Sequence, residues 1–224
     1  MAVTDVRATS FPARLIVVAD RDYIGNDARW LALIEEVGAA ALGRPVAIQV
    51  RAKGVTREEA GDLATRARAV VPLDVPLLLN GDAALAGRLG FSGVHWPEDV
   101  VPTSPPVDSL AWHSAAVHSV EAAARAERGG ADIVLFGAVY APGSHAGVGA
   151  GLDAMRAVIA STRVPVFALG GILPPHVADC IAAGAVGVAA VSGVLGAPDV
   201  RAAVDAYLHE LDEAMARTAD RTTA

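Results

Sequence analysis

Aromatic residues make up only 4% of the 224 positions, and there is a single cysteine. With so few aromatics, the core has to be built from Ala, Val, Leu and Ile, which suits closely packed helices and strands. One cysteine excludes a disulfide within the chain. Cys180 falls among apolar residues of a helical pattern and reads as core rather than as a nucleophile. Positive charge is also scarce: 18 Lys and Arg against 25 Asp and Glu leave a net charge of −7. That balance argues against non-specific nucleic-acid binding. It says little against a small anion, which backbone N–H groups can hold on an acidic protein. Gly and Pro interrupt every apolar stretch before it reaches the ~20 residues of a membrane span. The opening MAVTDVRATSFPAR lacks the apolar middle of a secretory signal. A cytoplasmic protein without a membrane partner is the expectation.

Hydrophobic residues account for 53% of the chain, enough to bury a large core. The length fits one barrel-sized domain, since such domains run to ~250 residues. Short apolar runs at 15–19, 46–51, 76–80, 93–95, 110–117, 133–136, 166–169 and 187–191 read as strands. Helical patterns alternate with them at 27–42, 57–71, 83–89, 120–128, 152–160, 175–183 and 200–217. Repeated βα units imply a parallel sheet. The Pro-rich run 100–108 is expected to replace the fourth helix with a loop. An open, doubly wound sheet normally has a GxGxxG turn after its first strand, yet Asp20-Arg21-Asp22 follows here. The glycine clusters follow strands seven and eight instead, where a (β/α)8 TIM barrel of the α/β class has its phosphate site. The barrel is expected to span 14–217, with tails at 1–13 and 218–224.

Gln49, Arg51 and Lys53 alternate with Ile48, Val50 and Ala52, so the polar three share one face of the second strand. The apolar set suits the helix side, which leaves the polar set to climb the barrel interior toward its mouth. Buried cations need partners, so this face is either an anion site or an internal ion-pair cluster with Asp20. Asn80 ends strand three and offers a donor and an acceptor to a ligand, whereas Asp82 is placed to cap the next helix. His95 ends strand four, where it is able to titrate near neutral pH or to serve as a structural histidine. Asp99 or Glu98, just beyond, has the oxygen chemistry for a hard divalent cation. Ser144 and His145 are, with Tyr140, the strong polar groups of a long loop after strand six, able to close over a ligand. Gly170, Gly171 and Ile172 follow strand seven, and Ser192 and Gly193 follow strand eight. Glycines let amides approach an anion closely, so these two turns together are expected to cradle a phosphoryl group.

These segments, in this order, resemble the thiamine phosphate synthase/TenI family from about residue 15 to residue 196. The resemblance rests on Gln49-Val-Arg51-Ala-Lys53, Asn80-Gly81, Gly93-Val-His95-Trp96, Ala168-Leu-Gly-Gly-Ile172 and Gly187-Val-Ala-Ala-Val-Ser192. It implies a barrel that joins a pyrimidine pyrophosphate to a thiazole phosphate with Mg2+. Gln49, Arg51, Lys53 and Asn80 would then contact the pyrimidine substrate, while Gly170, Gly171, Ser192 and Gly193 bind the thiazole phosphate. Arg51 and Lys53 would be catalytic, through the charge of the departing diphosphate. Departures are visible too. The family's first metal-binding Asp falls at Gly81, and its second corresponds to Asp99. Its Ser after strand five falls at Ala116, and its diphosphate-loop Lys falls at His145. The catalytic His of the thiazole-tautomerase branch falls near Ala138, with His145 as a relocated acid/base. The resemblance therefore points to a divergent synthase or a TenI-like tautomerase, with a small phosphorylated heterocycle as ligand. A non-catalytic, ligand-binding TenI-like protein and a sugar- or indole-phosphate isomerase are the alternatives, and a homo-oligomer is compatible with each.

Overall fold

The structure is a computed structural model that describes residues 11–141 and 147–222. Strand β1 (Leu15–Asp20) is followed by a single helical turn, α1 (Arg21–Ile24), and by α2 (Asp27–Ala41). Then come β2 (Val46–Arg51), α3 (Arg57–Val70), β3 (Leu77–Asn80), α4 (Ala83–Leu89) and β4 (Gly93–Trp96). No α-helix separates β4 from β5 (Trp112–Val117). A 3-10 turn at Glu98–Val100 and a Pro-rich loop fill the gap, as the sequence predicts. The second half holds α5 (Val120–Arg128), β6 (Ile133–Phe136), α6 (Gly151–Ser161), β7 (Val166–Leu169), α7 (Val177–Ala182), β8 (Gly187–Ala190), α8 (Ser192–Leu195) and α9 (Val200–Thr222). The eight strands close in sequence order into a parallel barrel, with β8 pairing back onto β1. The fold is the expected (β/α)8 barrel.

Alternation along the strands sorts side chains into two cores. Val46, Ile48 and Val50 of β2 join the large apolar layer between strands and helices. Ile16, Val18, Ala47, Ile133, Leu135, Phe167 and Ala189 fill the barrel interior instead. Phe11 and Ala13 fall in the segment expected to fray, yet they close the bottom of that interior. The Phe11 ring meets Trp112 and Phe167 edge-on at centroid distances of 5.3 and 5.8 Å. At the other end, α9 runs through Thr222, beyond the predicted stop at residue 217. Local signals set the helix starts. Thr56 and Glu59 form a capping box on α3, and the Asp82 carboxylate accepts the Leu85 N–H to begin α4, the role read from sequence. Cys180 is fully buried in α7, and burial pushes its thiol up to about 11, so it packs as a small apolar group. Among the described residues, no helix is long and apolar enough to cross a membrane.

The helix-free β4–β5 connection has its own brace. His113, at the start of β5, stacks on Trp96 at a 5.1 Å centroid distance. Its Nε2 lies 3.1 Å from both carboxylate oxygens of Asp108, and its Nδ1 lies 3.4 Å from Asp132 Oδ2. Burial alone would lower the His113 pKa, but the two carboxylates outweigh it and the net shift is upward from 6.5. A raised folded-state pKa contributes stability that is fully present below the unfolded value and is lost as pH rises through the folded one. Thermal unfolding of the native chain should therefore lose stability from about pH 6.5 upward relative to His113→Gln. Parallel pH curves for the two proteins would remove this brace from the stability account.

Candidate active site

The carboxyl ends of the strands enclose a cavity of about 600 Å3. Parallel strands all end at this face, so the inward-facing residues near their carboxyl ends share a common mouth. Gln49 and Arg51 of β2, and Lys53 just past it, line the cavity as their alternation requires. Asn80, His95 and Asp99 line it as well. Gly170, Gly171, Ile172 and Ser192 stand on the far side. In the closed ring, β2 and β7 are separated by β1 and β8, so the cationic wall and the amide wall occupy different sectors of the mouth. Gly193 is not on the wall. It sits behind it, where an added Cβ would lie 2.0 Å from Tyr207 Oη. Ser144 and His145 lie outside the described residues.

Each wall has distinct electrostatics. Arg51 makes an ion pair with Asp20, whose other carboxylate oxygen accepts the Asp22 N–H. The internal ion pair and the ligand-facing position are thus the same feature, not alternatives. Lys53 is exposed and has no ion pair among the described residues. Gln49 is 2% exposed: its Nε2 donates to Asn80 Oδ1 at 3.3 Å, while its buried Oε1 has no partner among the described residues. A buried acceptor left open is costly. His95 is 5% exposed and its Nδ1 is 2.8 Å from Ser114 Oγ. Burial, with Arg51 and Lys53 adding repulsion, drives its pKa down to about 3. Of the two roles open from the sequence, a group titrating near neutrality and a hydrogen-bonded structural histidine, these contacts fit the second: the ring stays neutral at physiological pH.

Across the mouth, Gly170 and Gly171 adopt φ values of 97° and 63°, in the left-handed region that favours glycine. Among the described residues, no acceptor takes the amide hydrogens of Gly170, Gly171, Ile172, Ser192 or Gly193. Tyr207, from α9, donates to Ile172 O at 2.6 Å and anchors this turn to the helical layer. Tyr140 stacks on His176 at 4.3 Å and covers its outer side.

Sequence reasoning missed a second polar group at the mouth. The Glu98 carboxylate accepts from His118 Nδ1 at 2.6 Å and from Arg125 at 2.8 Å, which offsets its burial and holds it below the usual carboxylate range. His118 directly follows β5, so its height in the barrel was readable from the strand end. Its carboxylate partner, 20 residues away, was not. The engagement of Glu98 leaves Asp99 as the rim carboxylate without an ion pair among the described residues. Gly81 contributes no ligand, and no group of three His, Cys, Asp or Glu side chains among the described residues could hold a metal ion. One free carboxylate would hold a Mg2+ ion only together with oxygens from outside the chain, since Mg2+ commonly combines one or two carboxylates with phosphate oxygens and water. It does not make an all-protein cage.

The model of the TMP-TENI family, described as thiamine monophosphate synthase, matches residues 15–194. The chain belongs to this family. Thiamine-phosphate synthase of Roseiflexus sp. (strain RS-1) is 35% identical over 202 residues, covering 85% of this chain and 81% of the relative. The enzyme of the same name from Methanoculleus marisnigri is 38% identical over 176 residues, covering 73% and 81%. Thiamine phosphate pyrophosphorylase from Pyrococcus furiosus superposes with a TM-score of 0.71 at 25% identity, over 91% of this chain and 98% of that one. Family membership accounts for the order of the segments around the mouth. It also places the chain in thiamine biosynthesis.

Proposed function

We propose that the chain is a divergent thiamine-phosphate synthase, a transferase that joins a pyrimidine diphosphate to a thiazole phosphate and releases pyrophosphate. The observation that carries this reading is the unpartnered Gln49 Oε1, buried on the same β2 face as the cation Arg51. An amino-substituted pyrimidine supplies the missing N–H, and its diphosphate meets Arg51 and Lys53. The thiazole phosphate takes the free amides of Gly170, Gly171, Ile172 and Ser192, with Gly193 supporting from behind. This two-ended arrangement suits two anionic substrates better than one.

In the reaction, the bond from the pyrimidine methylene carbon to the diphosphate oxygen breaks. The thiazole nitrogen lone pair forms the new C–N bond, and pyrophosphate leaves. Arg51 and Lys53 stabilise the charge that grows on the leaving oxygen, and they act most strongly where water is excluded. Mg2+ bound to Asp99 and the diphosphate would add Lewis-acid neutralisation of the same charge. Gln49 and Asn80 orient the ring. With Gly81 and Ala116 at two family polar positions, the cations of β2 carry a larger share of this work than a fuller ligand set would require. Ala138 supports transfer over tautomerisation, because a methyl group cannot relay a proton from that position on the cavity wall.

Purified protein given both precursors and Mg2+ should form thiamine phosphate and pyrophosphate in equal amounts. Saturable thiazole-phosphate binding without product, accompanied by deuterium exchange into the thiazole, would overturn the transferase reading in favour of the tautomerase.

A further inference from the structure

We infer that Ser114 fixes His95 as its Nε2–H tautomer, so that the cavity wall presents a hydrogen-bond donor at the end of β4. Ser114 lies within β5, next to His95 in the β4–β5 register, and its side chain is fully buried. Its hydroxyl has one partner among the described residues, His95 Nδ1 at 2.8 Å. A neutral imidazole has one donor and one acceptor nitrogen. If Nδ1 carried the hydrogen, the Ser114 oxygen would accept it, and the Ser114 hydrogen would be left in a dry interior with no acceptor. If the Ser114 hydroxyl donates to Nδ1, every polar hydrogen of the pair is used, and Nε2 carries its own. Nε2 has no partner among the described residues and His95 lines the cavity, so that N–H is available to a ligand.

Protonation does not disturb this choice, because burial, with Arg51 and Lys53 nearby, keeps the ring neutral far below physiological pH. The wall then has a defined code. Gln49 Oε1 accepts. His95 Nε2 donates, and Asn80, whose Oδ1 is taken by Gln49 Nε2, has its own NH2 to give. A ring nitrogen and an amino group on one ring, as in an aminopyrimidine, supply the acceptor and the donors that these positions call for. This assignment of ligand rests on the transferase reading; the tautomer does not. Ser114 is thus a positioning residue, acting on the ligand through His95.

Long-range 1H–15N correlation spectra of the ligand-free protein, with 15N-labelled histidine and His95→Asn for assignment, read the tautomer directly. The expected pattern is a protonated Nε2 and an unprotonated Nδ1 at neutral pH. A protonated Nδ1, or an even mixture, overturns the inference whether or not the chain is a synthase. Ser114→Ala should release the lock, mix the two forms and weaken binding of an aminopyrimidine diphosphate about tenfold, with thiazole-phosphate affinity unchanged. Ser114→Thr, which keeps the hydroxyl, should retain the native tautomer. An unchanged tautomer in Ser114→Ala would remove Ser114 from the account. A locked Nε2–H in a protein that binds no aminopyrimidine diphosphate would leave the tautomer standing and sink the ligand assignment.

Discussion

Arg51→Ala should lower the rate of thiamine phosphate formation about a hundredfold to a thousandfold, the scale seen when one preorganised charge-stabilising group is removed from an active site. Two effects combine. The guanidinium no longer meets the departing diphosphate, and Asp20 loses its ion-pair partner while remaining beside the site. An unpaired carboxylate there repels the same anion that Arg51 attracted. Most of the loss should fall on kcat and on kcat/KM together, because the charge that Arg51 stabilises is fully developed only in the transition state. Arg51→Lys should recover little, since a point-like ammonium does not hold a carboxylate and a phosphate with the geometry of a planar fork. Adding Asp20→Asn to Arg51→Ala should restore part of the rate by removing the repulsion, while the amide oxygen can still cap α1. Near-additive losses in the double variant would show that the two residues do not work as a unit. Wild-type turnover in Arg51→Ala would end the transferase reading of the β2 wall.

That such an argument starts from β2 reflects how much the period of two reveals. Gln49, Arg51 and Lys53 could share only one face of a strand, and a parallel barrel with helices outside leaves only the interior for them. The glycine turns were legible for a similar reason: strands of one barrel share a mouth, so two Gly-rich ends, at β7 and β8, fall at the same level. Pairings between distant segments were not legible. Nothing in the local sequence joins Glu98 to His118 and Arg125, or Ser114 to His95, because strand register decides which residues become neighbours. His113 looked like any strand residue until Asp108 and Asp132 closed around it from two separate connections. Phe11 was hidden for a different reason. Its partners, Trp112 and Phe167, come from opposite halves of the chain, and the segment around it has no period of its own. The choice between the two roles open to His95 also came from tertiary context, because only the assembled barrel shows the burial and the two cations around its ring.

Gly171→Ala should have the second large effect, and it should act on the opposite wall. Gly171 combines two constraints that its neighbours in sequence do not explain. Its φ of 63° is unfavourable for a residue with a side chain, at roughly 1–2 kcal/mol. A Cβ built there would also lie 2.2 Å from the carbonyl oxygen of Ala141 and 2.9 Å from the Tyr140 carbonyl carbon. Both neighbours are backbone, so no side chain can swing aside. Either the turn after β7 or the segment after β6 has to move, and with it the amides proposed to hold the thiazole phosphate. A displacement of about 1 Å in a positioning group can cost about a hundredfold in rate, so turnover should fall on that scale, and calorimetry should show weaker thiazole-phosphate binding. Gly81→Ala is the informative comparison. Its φ of 88° is also in the left-handed region, but a Cβ there meets nothing within 4 Å. It should therefore lose stability of the same order as the conformational part of Gly171→Ala, while its phosphate affinity stays native. If Gly171→Ala melted early yet bound thiazole phosphate as tightly as the native chain, the turn would be structural only and the phosphate would belong elsewhere in the mouth.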